Sequence, residues 1–319
     1  MKYFITGGSG LIGRHLVPLL QGRGHEVLSF DVSPGWNFMG VLGDVMELTL
    51  LLEELRDFEP DKVIHLAAQS GVEAARDNPL PSIDVNVMGT VNVLEACRQL
   101  GIKDVVTASS NHVYGEQVTN EYVWEVNEDS PLNHRDLYSA TKVAGDVLTQ
   151  SYAECYGMNA VAVRNTNTFG PADPHADHIV PATIHSLLND GLMTLREGRA
   201  AKSYLYVEDC ADAYAFIADN AARFKGQGVN VVGSDPVRPD LLVGSLYRIA
   251  GKSVPEEAWI IGPNPNMETA EDMSAQKLSN AGWMPKYPLE MGLRLTWEWF
   301  KEEHEKRERA DAEAQPVRG

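Results

Sequence analysis

Five short apolar runs, Tyr3–Thr6, Val27–Asp31, Val63–Ala67, Val105–Ala108 and Ala160–Arg164, recur through the first half of the chain. Between them lie segments of helical length and period, Gly10–Gly22, Leu48–Phe58, Ser82–Leu100 and Leu137–Tyr156. A run that is apolar at successive positions reads as a strand covered on both faces, and connections this long permit parallel pairing. The alternation therefore predicts an α/β protein with a doubly wound parallel sheet. From Gly170 the texture changes: Pro171, Pro174 and Pro181 lead a loop into a helix, and Gly- and Pro-rich connections follow around Gly233–Pro239 and Gly262–Pro265. We divide the chain into a first domain over 1–170 and a smaller mixed α/β C-terminal domain over 171–300. The two are interleaved around 204–223, and 301–319 is a charged helix end and tail.

The first strand runs into Thr6-Gly7-Gly8-Ser9-Gly10-Leu11-Ile12-Gly13, which opens the first helix. Gly7 suits a tight turn, Gly10 lets backbone N–H groups approach a diphosphate, and Gly13 allows helix and strand to pack closely. The helix start around Leu11 and Ile12 offers unpaired donors and a partial positive charge. Asp31 ends the second strand 18 residues beyond Gly13, where a carboxylate accepts hydrogen bonds from a ribose diol and repels a 2′-phosphate. Strand, glycine turn, helix and acid together predict a Rossmann sheet that holds NAD rather than NADP. Asp44-Val45 is placed either to touch the adenine edge or to cap the next helix.

Tyr138-Ser-Ala-Thr-Lys142 sets a phenol and an ammonium one helical turn apart. Tyrosine, with a reference pKa of about 10, is a poor base near neutrality unless positive charge lies beside it. Ser109-Ser110-Asn111-His112-Val113-Tyr114-Gly115 directly follows the fourth strand. Strand C-termini line the ligand crevice of such a sheet, so the Ser110 hydroxyl is expected to face the same substrate oxygen as Tyr138.

Charge excludes other classes. The chain carries 45 acidic and 27 basic side chains, a formal charge of −18. Residues 301–319 hold six acids and five bases, so the body keeps −17 and a nucleic-acid or basic membrane-surface role is not expected. Cys97, Cys155 and Cys210 are scattered, which argues against a disulfide framework or structural zinc. No basic-then-apolar leader or membrane span is read, and a cytoplasmic protein is expected. His175, Asp177 and His178 form a sequence cluster, but we assign no metal to it.

Taken together and in order, the motifs resemble those of the extended short-chain dehydrogenase/reductase family, in particular its NAD-dependent nucleotide-sugar epimerases and dehydratases. The resemblance spans about residues 1–300. It is carried by the glycine turn, His65-Leu-Ala-Ala-Gln69, Asn86-Val-Met-Gly-Thr-Val-Asn-Val-Leu-Glu-Ala and Ser-Ser-x-x-Val-Tyr-Gly. Tyr138-x-x-x-Lys142, Arg164-Asn-Thr-Asn-Thr-Phe-Gly-Pro, Tyr204-Leu-Tyr-Val-Glu-Asp209 and Gly282-Trp283 complete it. It implies a resident NAD contacted also by Leu66, Ala67, Ala68, Asn86 and Lys142, a sugar C4 hydroxyl deprotonated by Tyr138 with Ser110 sharing the bond, and a 4-keto intermediate. It further implies substrate contacts from Gln69, Ser110 and Asn111, with Asn167, His178 and Ile179 beside the nucleotide diphosphate, and a homodimer through the helices Ser82–Leu100 and Leu137–Tyr156.

Departures from the family pattern separate the possible reactions. The dehydratases resembled carry an Asp-Glu or Asp-Lys pair where this chain has Asn111 and His112. An amide supplies no proton, whereas an imidazole serves either in proton transfer or as a hydrogen-bonding residue. Nucleotide-sugar 4-epimerisation is preferred on this ground. A 4,6-dehydratase of the CDP-glucose branch with an altered acid/base pair is the alternative, and a sugar or uronate dehydrogenase a further one. The arginine usual before the Tyr204 strand is replaced by Lys202-Ser203, so Lys202 or Arg199 is expected to take over the phosphate contact.

Overall fold

The computed structural model describes the chain except residues 36–39, 116–117, 120–121, 124, 192, 194, 196–199, 255–271 and 315–319. Its strands in chain order are β1 (Lys2–Thr6), β2 (Glu26–Asp31), β3 (Gly40–Leu42), β4 (Lys62–His65), β5 (Asp104–Ala108), β6 (Val118–Thr119), β7 (Tyr122–Val123), β8 (Asn159–Asn165), β9 (Asn167–Phe169), β10 (Tyr204–Tyr206) and β11 (Gly228–Val231). Seven pair in parallel in the order β11-β8-β5-β4-β1-β2-β3. The chain leaves β1 toward β2 and β3, then returns past it to β4 and on to β11. That reversal opens a crevice at the C-terminal ends of β1 and β4, where Thr6 lies in register with both Phe30 and His65.

The helices are α1 (Leu11–Gly22), α2 (Leu48–Phe58), α3 (Val72–Asp77), α4 (Pro79–Ile83), α5 (Thr90–Leu100), α6 (Leu137–Tyr156), α7 (Ile179–Leu188), α8 (Val207–Asp219), α9 (Pro239–Ile249), α10 (Gln276–Ala281) and α11 (Leu289–Ala314). Alternation along the strands explains the two layers. Ile5, Ile64, Val106 and Val161 point to one face, where they pack with Leu16 and Leu20 of α1 and Tyr214 and Ile217 of α8. Their neighbours Phe4, Val63, Val105 and Ala160 point to the other, against Leu51 and Leu55 of α2, Val93 and Leu94 of α5 and Ala153 of α6. Each large side chain so buried contributes roughly 1.5–3 kcal/mol, which is why neither face tolerates polar alternation.

A separate core joins α7, α9 and α11 to β9 and β10 through Ile184, Leu187, Leu242, Leu246, Leu293 and Phe300. The chain crosses between the two cores more than once. After β10 it returns as α8, which packs on α1, and β11 pairs with β8, so the return extends beyond the 204–223 read from sequence. Leu278 of α10 and Trp283 also join the sheet's core. Asp209 accepts the Lys286 and Tyr287 N–H groups, and Asp212 accepts Trp283 Nε1–H at 2.9 Å.

One element differs from expectation. The helix predicted over Ser82–Leu100 is α4 and α5 joined by a wider π turn at Asp84–Gly89, which carries Asn86. The charged segment after Lys301 continues α11 as far as Ala314. Cys97 and Cys210 are buried and Cys155 is exposed, all three as free thiols. Among the described residues no helix is long and apolar enough to cross a membrane.

Candidate active site

The glycine turn is built by close contact. Gly7 adopts φ +75°, and a Cβ on it would lie 2.5 Å from the Ala67 nitrogen. The turn thus abuts Leu66 and Ala67 at the end of β4. A Cβ on Gly13 would lie 2.4 Å from the Gly7 carbonyl oxygen, so α1 starts against the turn only because position 13 has no side chain. No side chain caps α1 and no acid sits in its first turn, which leaves its N-terminal amides able to meet an anion. Asp31 Oδ2 accepts the Ser9 N–H at 2.9 Å and Oδ1 accepts the Ser33 N–H at 3.1 Å, fixing the carboxylate beside the turn. Asp44 Oδ1 accepts the Met46 N–H at 2.9 Å, and Val45 is buried with its carbonyl accepting from Asn92.

A buried polar chain ties this turn to the next strand. Thr90 Oγ1 donates to the Asn86 carbonyl at 2.7 Å, so it receives His65 Nε2–H at 3.1 Å. His65 Nδ1 then accepts from Thr6 Oγ1 at 2.7 Å. Burial, with the charge of Lys142 adding to it, lowers the His65 pKa to about 3, so the ring stays neutral. Asn86 brackets Gln69 through both backbone groups, Oδ1 accepting the Gln69 N–H at 2.8 Å and Nδ2 donating to its carbonyl at 3.0 Å, and Nδ2 also reaches Thr141 Oγ1. Asn86 thereby fixes the backbone at Gln69, next to the Leu66-Ala67-Ala68 segment.

Ser110, Tyr138 and Lys142 come together as their spacing requires. Asp136 and Ser139 form a reciprocal capping box that starts α6 and sets Tyr138 in its first turn. The Ser110 hydroxyl hydrogen-bonds Tyr138, lies 3.1 Å from Asn111 Oδ1 and accepts the His112 N–H. Lys142 Nζ donates to the Ala108 carbonyl at 3.0 Å and stands 6.0 Å from the centre of the Tyr138 ring. Burial lowers the Lys142 pKa to about 8. Burial pushes the Tyr138 phenol up to about 12, Ser110 pulls it down and Asp136 pushes it up. The His112 ring meets Tyr138 edge-on, with centroids 5.5 Å apart.

The substrate-side residues lie on the β9–α7 connection and β10. Asn167 Nδ2 donates to the Ser203 carbonyl, and Lys202 is buried, its backbone paired with Val237. His178 is the N-terminal flank of α7, ahead of Ile179, and α7 also lacks a side-chain cap and a first-turn acid. Burial opposes charge on His178, yet its contact with the Asp173 carboxylate at 3.1 Å holds its pKa above the usual value. His175 Nε2 lies 3.1 Å from Ser70 Oγ, linking this loop to the one after β4. Donor atoms of His175, Asp177 and His178 fall within 4.8 Å of one another, and the two rings stack with an interplanar angle of 30°. Arg199 lies outside the described residues.

Sequence reasoning passed over Asp146 and quoted Arg164 only as the first residue of a motif, with no role. Both are buried, and both reach the segment that carries Ser110. The usable signal was spacing: Tyr138, Lys142 and Asp146 fall at intervals of four on α6.

The match to known proteins is extensive. Residues 3–233 fit the model of the NAD dependent epimerase/dehydratase family. The UDP-glucose 4-epimerase of Mycolicibacterium smegmatis is 32% identical over 94% of this chain and 99% of its own. A dTDP-glucose 4,6-dehydratase of Mycobacterium tuberculosis is 27% identical, covering 95% of this chain and 94% of its own. Among solved structures, the Thermus thermophilus UDP-glucose 4-epimerase complex with NAD superposes with a TM-score of 0.84 at 30% identity, covering 94% of this chain and 99% of that one. With its parallel sheet, glycine turn and Ser110–Tyr138–Lys142 cluster, the chain belongs to the NAD-dependent epimerase/dehydratase family, enzymes of the extended short-chain dehydrogenase/reductase type.

Proposed function

We propose that the protein is a nucleotide-sugar 4-epimerase working through transient oxidation at the sugar C4. The observation that carries this reading is the pairing of an intact Ser110–Tyr138–Lys142 cluster with an amide at 111 and an imidazole at 112. Elimination across C5 and C6 needs a proton donor for the leaving hydroxyl, and Asn111 has none. Epimerisation needs only oxidation, rotation of the keto sugar and reduction.

The residues present fit NAD. The uncapped start of α1, at Leu11, Ile12 and Gly13, would meet the diphosphate in a cradle that a Cβ on Gly7 or Gly13 would fill. Asp31 would take the adenine ribose, Asp44 and Val45 would border the adenine, Leu66, Ala67 and Ala68 would line the wall, and Lys142 would hold the nicotinamide ribose. Bound NAD supplies a hydride acceptor and a positive charge that favours the Tyr138 phenolate. Tyr138 removes the C4 hydroxyl proton while Ser110 holds the same oxygen. Lys142 is anchored at the Ala108 carbonyl and keeps its ammonium near the phenol as that proton moves. After the sugar turns, Tyr138 returns the proton. The nucleotide diphosphate meets the second uncapped helix start, α7, with His178, Ile179, Asn167 and Lys202, while Gln69 and Asn111 face the sugar.

Incubation of the purified protein with UDP-, dTDP-, CDP- and GDP-sugars tests the reading by mass and proton NMR. An isomer of unchanged mass is the expected product. A product lighter by one water, or accumulation of reduced cofactor, overturns it in favour of dehydration or net oxidation. We also propose a homodimer. Leu80, Ile83 and Met88 on α4 and the π turn, and Val147 and Tyr156 on α6, are exposed on adjoining elements and are apolar enough to meet a second copy.

A further inference from the structure

We propose that Asp146 and Arg164 are positioning residues that set the catalytic turn against Tyr138, an inference that rests on the proton-handling role given above to Tyr138 and Ser110. Asp146 and Arg164 form a bidentate ion pair with both distances 2.9 Å, and side-chain exposures of 0% and 2%. A pair so deeply desolvated gains little net stability over apolar packing, so stability alone is a weak reason for its presence. Besides the Gln150 Nε2–H that Asp146 Oδ1 accepts at 2.6 Å, the pair's remaining hydrogen bonds show what else it does. Asp146 Oδ2 accepts Ser109 Oγ–H at 2.7 Å, at the start of the segment holding Ser110. Arg164 donates through NH1 to Tyr114 Oη at 2.9 Å, at the end of the same segment, and to the Glu128 carbonyl. Tyr114 Oη in turn donates to Asn230 Oδ1 at 2.6 Å.

The turn Asn111–Val113 is therefore suspended between two side-chain anchors that converge on one ion pair. Asp146 stands one turn beyond Lys142 on the helix that carries Tyr138, so the pair couples both halves of the proton-transfer site to a single rigid element. The Arg164 guanidinium is closely confined: its Cζ lies over the Tyr114 ring at 5.2 Å, and a Cβ at Gly228 would come 2.2 Å from it.

Because Asp146→Asn leaves a buried guanidinium unpaired and risks misfolding, the decisive variants are Ser109→Ala and Tyr114→Phe, which keep the ion pair and cut its two ties to the turn. Each is expected to lower kcat about tenfold or more while KM stays within about twofold, and to move the acid limb of the pH profile upward as Ser110 slackens against Tyr138. Ser109→Thr should restore kcat. A second readout needs no turnover: the Tyr138 Cζ resonance in carbon-13 tyrosine-labelled protein, assigned by its loss in Tyr138→Phe, should shift in Ser109→Ala in the direction seen in Ser110→Ala. If no sugar nucleotide reacts, the functional reading fails and that resonance still decides the positioning claim. A lowered Tm with kcat, pH profile and Tyr138 resonance unchanged would show that the pair is structural only and overturn the proposal. So would an effect confined to KM.

Discussion

Tyr138 is the residue on which the chemistry turns, and its pKa near 12 shows how far the protein alone leaves it from a usable base. Replacing it by Phe removes the proton acceptor and keeps the ring. Turnover should fall about a hundredfold to ten-thousandfold, with cofactor still bound, as checked by kinetics and by the absorbance of cofactor released on denaturation; retained turnover would sink the assignment. His65 makes a thermodynamic prediction. Its folded pKa, about 3, lies below the unfolded value of about 6.5. Between those limits the unfolded chain binds a proton that the folded chain does not, so stability is full above the upper limit and falls as pH drops toward the lower. His65→Gln should shrink the stability difference between pH 7 and pH 4, measured by urea midpoints, by about 3 kcal/mol. An unchanged difference would mean that other groups govern the acid limb. Tyr138, Lys142 and Ser110 were legible because local spacing and a strand end fix them. Asp146, Arg164 and the Thr6–His65–Thr90 chain were not, because their partners lie 18 to 59 residues away and only the folded sheet brings them together.

At the scale of elements, the glycine turn and α1 act as one part. Gly13→Ala drives a methyl into the Gly7 carbonyl, a backbone atom that cannot swing aside. The expected cost is about 1 to 3 kcal/mol, together with a smaller rise in Tm on adding NAD; a variant that keeps both would show that the turn relaxes. Strands β1, β2, β4, β5 and β8 were readable because burial on both faces demands uninterrupted apolar runs. The π turn at Asp84–Gly89 was hidden, since one extra residue in a helical turn leaves the apolar period almost intact while displacing Asn86 toward Gln69. The return of α8 and β11 to the sheet was only half visible. A short strand such as Gly228–Val231 declares its partner through long-range pairing rather than through its own pattern.

For the whole molecule, the formal charge of −18 contrasts with the anionic cofactor and substrate that the fold is built to hold. Two uncapped helix starts, α1 and α7, with His178 flanking the second, and Lys142 at the Ala108 carbonyl supply local positive potential within an acidic body. The outer surface carries a further expectation. Leu80 is 67% exposed and Val147 47% exposed, and replacing both by Lys should convert a dimer into a monomer by light scattering without altering the NAD cradle. A dimer that persists would place the contact elsewhere. The repeated crossing between cores also governs how the molecule comes apart. The sheet's edge strand β11 and the cover helix α8 are made from chain that has already passed through the second core at β9, α7 and β10. A cut near residue 170 takes α8 off the face it shares with α1 and β11 off the sheet's edge, so neither fragment inherits a finished interior. The crevice is thus a stitched seam rather than a hinge between beads, and its two lips are expected to melt as one unit.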